Sequence, residues 1–384
     1  MILSGFFKSP EIPLVQKLGQ VSWGLVAVIT VIACVGFAML YSAGNGNLHP
    51  WASRQMARFL LGLALMIGLA LVDIRVWMRN AYVLYLGTLA LLAAVEFIGS
   101  TGMGAQRWIS LGPVNIQPSE LMKIALVIVL ARYFHSLPDD AVTRMRFLIW
   151  PAVLTLLPAA MVLRQPDLGT AVMLLMIGAA VFFMAGVRLW KFALIAGLGL
   201  GAIPIGWQFL KPYQKQRILT FLDPESDPLG SGYHILQSKI ALGSGGLTGK
   251  GFLHGSQAHL NFLPEKQTDF IFTMLAEEFG LAGGIVLLAL YSLVLAYGFF
   301  IALRCHNQFG RLVAMGVTAA FFLYIFINIA MVMGLIPVVG VPLPLISYGG
   351  TSMVTLMMGF GILIGVHVHR DITIGRAELG LGRG

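Results

Sequence analysis

Asp269 closes a polar run, Pro264-Glu265-Lys266-Gln267-Thr268-Asp269, and stands directly before the apolar Phe270-Ile271-Phe272. A carboxylate at such a border has two uses. It can cap the helix that follows. Partly buried, its pKa rises from the ordinary value of about 3.9 and it becomes a base for a hydroxyl proton. Lys266 and Thr268 flank it and are candidates for holding the same substrate.

Other residues could share that chemistry. Glu120 and Lys123 are three apart, so they share a helix face and can neutralise each other. Charge in an apolar helix marks either such a pair or a substrate contact. Arg107 precedes Trp108, which suits an interfacial anchor and equally a grip on phosphate. Asp167, in Arg164-Gln165-Pro166-Asp167-Leu168-Gly169-Thr170, either caps the next helix or supplies a second carboxylate. Ser347 falls in Pro342-Leu343-Pro344-Leu345-Ile346-Ser347-Tyr348-Gly349-Gly350. Such irregular backbone at membrane depth must line protein or a water-filled cavity.

Three features read as weaker. Gly243-Ser244-Gly245-Gly246-Leu247-Thr248-Gly249-Lys250-Gly251 has Ser244 where a phosphate-cradling loop requires Gly, and Gly251 where it requires Ser or Thr. It is a flexible turn, or an anion-binding nest of amides. His367 and His369 are two apart and do not share a helical face, a poor metal site. Glu277 and Glu278 are expected at a helix start, where acids suit the dipole and need no function.

The elements that must position these residues follow from composition. Of 384 residues, 58% are hydrophobic and 11% charged, with mean hydropathy +0.85. Soluble domains carry about 25% charged residues, so this chain belongs in a bilayer. Cys34 and Cys305 are too few for a disulfide framework or metal cluster. The net charge of +9 is spread over short loops, which argues against nucleic acid and suits membrane lipids and phosphates.

Apolar runs fall at about 22–42, 56–73, 80–98, 118–135, 147–163, 169–186, 188–208, 281–303, 312–335 and 347–368. The expectation is an all-α polytopic membrane protein of about ten transmembrane helices, one membrane domain over 1–384. The long polar interval 209–272 lies between helices 7 and 8, and a C-terminal tail occupies about 369–384. The first run is too long for a signal-peptide core and reads as an uncleaved anchor. Lys8, Lys17, Arg75, Arg79, Arg132, Arg144, Arg146, Arg188 and Lys191 lie on one side, with Arg304, Arg311, Arg370, Arg376 and Arg383. The short loops of the other side hold Arg54, Arg58, Arg107 and Arg164. This bias places both termini in the cytoplasm and 209–272 outside. No ATP is available there, so chemistry on that side needs a pre-activated substrate.

Four pieces of the chain resemble the SEDS family of shape, elongation, division and sporulation proteins. They are Gly104-Ala105-Gln106-Arg107-Trp108 with Gln117-Pro118-Ser119-Glu120; Gln165-Pro166-Asp167-Leu168-Gly169-Thr170; the block from Gly243 to Phe272; and Pro344-Leu345-Ile346-Ser347-Tyr348-Gly349-Gly350. They keep the family's order across nearly the whole chain. His254-Gly255-Ser256-Gln257 leading to Phe262-Leu263-Pro264-Glu265 is similar to the elongation branch rather than the division branch. His234 departs from the expected Gln.

The resemblance implies a peptidoglycan glycosyltransferase of the bacterial inner membrane. It would polymerise lipid II, a disaccharide-pentapeptide on undecaprenyl pyrophosphate, into a nascent glycan strand. The family's catalytic aspartate falls on Asp269, and a class B penicillin-binding protein is the implied partner. The chemistry agrees with the topology, since the pyrophosphate activates the donor. An inverting displacement needs one base and cations on the leaving group; Arg54, Arg107, Lys123 and Arg217 are the candidates. With them, Glu120, Asp167, Lys266, Thr268 and Ser347 form the expected substrate-binding set. A divalent cation (Mg or Mn) could share the work, although no metal pattern is visible. Two rivals remain: a lipid II flippase, and a non-catalytic scaffold for a penicillin-binding protein.

Overall fold

A backbone in hydrocarbon must satisfy its own N–H and C=O groups, so apolar runs of about twenty residues become helices. The computed structural model describes residues 13–102, 105–111, 114–138, 141–209, 212–223, 231–256 and 265–374. Its helices are α1 (Leu14–Gly19), α2 (Trp23–Ala43), α3 (Trp51–Ala70), α4 (Ile74–Ile98), α5 (Pro118–Ser136), α6 (Ile149–Arg164) and α7 (Leu168–Met184). They continue as α8 (Leu189–Gly201), α9 (Ile203–Phe209), α10 (Pro212–Leu222), α11 (Ser231–Ser244), α12 (Ile271–Arg304), α13 (Gln308–Val332) and α14 (Gly350–Val368).

Each of the ten expected spans falls on these helices, the seventh on α8 and α9 together. The helices α2, α4, α12, α13 and α14, and the stretch Met145–Arg164 that ends with α6, are long and apolar enough to cross a membrane. The others are α3 and α5, which carry charges, and the shorter apolar α7 and α8. The chain is a multi-pass membrane protein. Residues 1–12, the stretch 257–264 and the tail from 375 lie outside the described residues.

Several boundaries differ from expectation. The helix α3 begins at Trp51 rather than about 56, because Arg54 is a good helix former and does not end a helix. Residues expected as an outward loop form an antiparallel three-stranded sheet, β1 (Ser100–Gly102), β2 (Ala105–Leu111) and β3 (Val114–Ile116), in the order β1-β2-β3. The polar interval 209–272 holds two helices, α10 and α11, and a turn at 265–270.

The largest departure is α12, which starts at Ile271 rather than 281 and is broken at Gly280 (φ 63°, ψ −161°). A broken helix leaves amides and carbonyls without partners. Here the Gly-rich stretch supplies them. Lys250 N and Gly251 N donate to Glu277 O and Glu278 O, each at 3.0 Å, while Leu281 N and Ala282 N donate to Gly246 O (2.9 Å) and Leu247 O (3.1 Å). A Cβ on Gly249 would collide with Glu278 O, so the approach requires glycine there. The stretch is a splint across a helix break, with its amides of Lys250 and Gly251 already engaged. Glu277 and Glu278 consequently lie at the break rather than at a helix start, and both are buried. Glu277 accepts from Lys250 Nζ (2.7 Å) and Ser256 Oγ (3.0 Å), and Ser42 donates to Glu278. They fasten the 243–256 segment and α2 to α12.

At the centre runs α5, buried on nearly all sides. Against α14 packs α3, where Gly361 lets the helices close: a Cβ there would stand 2.7 Å from Met66 O.

Candidate active site

Asp269 sits half-buried in the 265–270 turn, immediately before α12. Three successive backbone oxygens of this turn are tied to the rest of the protein. Gln267 O accepts from Tyr348 N at 2.8 Å, Thr268 O from Ser347 Oγ at 2.6 Å, and Asp269 O from Asn328 Nδ2 at 3.0 Å. Asn328 also donates to Val341 O at 2.7 Å, and Leu343 N donates to Ser347 Oγ at 2.8 Å. The turn and the irregular 338–349 segment therefore form one unit. Beside the carboxylate stands Gly340 (φ 70°), where an added Cβ would lie 3.4 Å from Asp269 Oδ2.

Neighbouring elements support the same unit. Gln55 on α3 donates to Ser347 O at 2.9 Å. Thr351 at the start of α14 donates to Asn115 O of β3 at 2.7 Å. Thr268 Oγ1 donates to Glu265 Oε2 at 2.8 Å. Lys266 is buried, and that burial pushes its ammonium pKa down.

The expected binding residues separate into groups. Asp269, Thr268, Lys266 and Ser347 are brought together. Arg107 and Asp167 form a second pair, Nε to Oδ2 at 3.6 Å, with Arg107 also donating to Pro166 O at 2.6 Å. Asp167 caps α7, accepting from Thr170 N at 3.1 Å and Thr170 Oγ1 at 3.0 Å. This pair adjoins the first group, because Gly169 packs so closely on Val339 that a Cβ would stand 2.5 Å from Val339 O. A third group lies inside the bundle. Lys123 donates to Glu120 Oε1 at 2.6 Å, and Tyr324 bonds to both side chains. Tyr324 lines a small cavity of about 30 Å³ with Glu120 and Lys123, and another of about 10 Å³ with Ser347. Arg54 is exposed on α3. Arg217 belongs to α10, and its side chain lies outside the described residues. Among the described residues no group of three or more His, Cys, Asp or Glu could hold a metal ion.

The structure adds Arg58, which the sequence reading used only to orient the chain. Its guanidinium lies 4.7 Å from the centre of the Tyr348 ring. Its Nη1 is buried and has no hydrogen-bond partner among the described residues. Arg58 stands inside an apolar run, and an intramembrane cation was the available signal. Asn328 carries the same kind of signal, a fully buried amide in an apolar helix.

Comparison with known proteins decides the family. The model of the FtsW/RodA/SpoVE family, described as a cell cycle protein, matches residues 16–372. The chain belongs to this family, the SEDS proteins. A relative named peptidoglycan glycosyltransferase MrdB, from Escherichia coli K12, is 45% identical over 347 residues, covering 90% of this chain and 93% of its own. Among solved structures, a chain from a peptidoglycan synthase complex, described as coordinating polymerization and crosslinking, matches with TM-score 0.79. It is 34% identical, with 91% of this SEDS chain and 98% of that chain covered. The crystal structure of the rod shape determining protein RodA of Thermus thermophilus matches with TM-score 0.69 and 31% identity, covering 92% and 98%.

Proposed function

We propose that this SEDS protein polymerises lipid II by a single inverting displacement in which Asp269 is the general base. The chain is a peptidoglycan glycosyltransferase, in keeping with its relatives' names. The observation that carries the role of Asp269 is the fastening of its turn. Three consecutive backbone oxygens are anchored to Tyr348, Ser347 and Asn328, which orients the carboxylate by holding its backbone. A general base works only when held within hydrogen-bond reach of its proton.

In the proposed step the 4-hydroxyl oxygen of the acceptor's GlcNAc attacks C1 of the donor's MurNAc. The hydroxyl proton passes to Asp269. The bond from C1 to the pyrophosphate oxygen breaks, undecaprenyl pyrophosphate departs with the electron pair, and an α donor gives a β product. Arg58, with a buried donor that has no partner, is the cation best placed by its bonding to meet the departing pyrophosphate. Arg54 and Arg217 remain candidates for the same charge. Glu120 and Lys123 serve by shaping a cavity wall, and Asp167 with Arg107 by holding the start of α7, since each is engaged with a protein partner.

The same reading places both termini in the cytoplasm and Asp269 on the outer side. Its partner is a class B penicillin-binding protein that crosslinks the new strand, supported by the similarity to a complex of coordinated polymerization and crosslinking. The test is lipid II polymerisation by the purified protein, alone and with that partner, for wild type and Asp269→Asn. Polymer from wild type alone is expected. Equal polymer from both would remove Asp269 from the mechanism. Polymer from neither, beside a working positive control, would favour a flippase or a scaffold.

A further inference from the structure

The last turns of α12 and α14 meet the start of α2 around a separate cavity of about 320 Å³. It is lined by Ser22, Tyr297, Phe300, Ile301, Arg304 and His367. The helix α14 begins two residues after Tyr348 and has 19 residues. At 1.5 Å per residue it rises roughly 28 Å, so His367 lies near the membrane face opposite the Asp269 turn.

The chemistry of this cavity is one-sided. Arg370 Nη1 lies 3.2 Å from His367 Nε2. A guanidinium only donates, so Nε2 accepts and the ring hydrogen resides on Nδ1. His367 Nδ1 is buried and has no hydrogen-bond partner among the described residues. It is a donor without an acceptor on a residue that lines the cavity. Arg304 lines it too, exposed in the last turn of α12. The carboxylate of Asp371 is engaged elsewhere, by Arg370 at 3.8 Å and His306 at 3.6 Å. Positive charge therefore exceeds negative charge around the opening. The remaining wall is apolar: Tyr297, Phe300 and Ile301, with Phe300 60% exposed along the outside of the bundle. Trp23, next to Ser22, is 51% exposed, as suits an aromatic side chain at the headgroup level.

We propose that this cavity binds an anionic phospholipid of the leaflet opposite the active site. The phosphate sits at Arg304 with the His367 side chain beside it on the cavity wall, and an acyl chain lies along Phe300 and Ile301. Cations alone would suit any phosphate; cations above a lipid-facing apolar wall suit an amphiphile. The position gives the lipid a structural role. The helix α12 runs from the Asp269 turn to Arg304, and α14 runs from beside Tyr348 to His367, so one lipid clasps the far ends of both helices that begin at the active site. The inference stands on its own, whatever reaction the Asp269 turn performs.

The test uses the full-length protein in detergent, with dioleoyl phosphatidylglycerol, dioleoyl phosphatidylcholine and inorganic phosphate as probes. Native mass spectrometry reads binding and thermal unfolding reads the consequence. Phosphatidylglycerol is expected to bind and raise Tm, while the other two do neither. Arg304→Gln removes one charge-assisted contact and is expected to weaken phosphatidylglycerol binding about tenfold. Because Arg304 is exposed, its Tm without added lipid stays that of wild type. Arg304→Lys, which keeps the charge, restores most of the affinity, and His367→Phe weakens binding independently of Arg304. Equal binding of the two lipids, an equal Tm rise from inorganic phosphate alone, or unchanged affinity in both Arg304→Gln and His367→Phe would overturn the proposal.

Discussion

Two of the polar centres in this apolar protein are built differently. In the bundle, Glu120, Lys123 and Tyr324 answer one another: the ammonium meets the carboxylate at 2.6 Å and the phenol bonds to both. At the 265–270 turn Asn328 and Ser347 donate to the backbone of the turn, and the adjacent Arg58 keeps a buried N–H without an acceptor among the described residues. The first centre closes on itself, as a buried ion pair must if it is not to cost the fold heavily. The second holds its parts still and leaves donor capacity unused. In a membrane protein charge alone does not mark a site; a fastened backbone with a buried donor to spare beside it does.

Substitution should separate the two centres cleanly. Asp269→Asn is expected to lower lipid II polymerisation by about 10²–10⁴-fold while leaving Tm unchanged, read by product gels beside thermal unfolding. Lys123→Met should do the reverse in kind. It strands Glu120 in the bundle, and breaking a buried pair from one side costs about 3–5 kcal/mol, so unfolding rather than chemistry is the primary loss. If Lys123→Met keeps the wild-type Tm and loses polymerisation, the two centres are one site and the contrast fails.

The legible part of this fold was the part written in local pattern. Apolar runs of helical length mark where helices lie because a bilayer forces that solution, and all ten spans fall on helices. Asp269 stood out by its border between a polar run and Phe270-Ile271-Phe272. What escaped depends on contacts across the chain. Nothing near Gly280 announces that Gly246, Leu247, Lys250 and Gly251 supply the hydrogen bonds its break requires. Glu277 and Glu278 therefore looked like ordinary helix-start acids, although each is buried at that break. Arg58 was visible as a cation within an apolar run, yet counting it toward orientation hid its contact with the Tyr348 ring.

Arg58 gives the next sharpening. Arg58→Gln removes a charged donor whose Nη1 has no protein acceptor to strand, so stability should hold within about 0.5 kcal/mol. If the guanidinium meets the pyrophosphate, one charge-assisted bond of about 1.5–3 kcal/mol disappears, roughly a 10–100-fold fall in kcat/KM for lipid II. Arg58→Lys should recover part of that, because charge survives while the planar fork does not. Unchanged kinetics in Arg58→Gln would assign the guanidinium to packing on Tyr348 alone.

The smallest expected effect decides what Asp167 is. As the cap of α7 it accepts from Thr170 N and Thr170 Oγ1. Asn caps nearly as well as Asp, whereas Ala loses the cap at about 1 kcal/mol. Asp167→Asn should therefore keep Tm near wild type and Asp167→Ala should lower it. The ion pair to Arg107, at 3.6 Å, needs the charge of Asp167, whereas the cap does not. Polymerisation by Asp167→Asn is expected within about threefold of wild type, given that a pair with one partly exposed member contributes about 0.2–1 kcal/mol. A loss of 10²-fold or more in Asp167→Asn at unchanged Tm would make its carboxylate a working part of the reaction. It would also move Asp167 from the self-answering kind of centre to the kind that Asp269 represents.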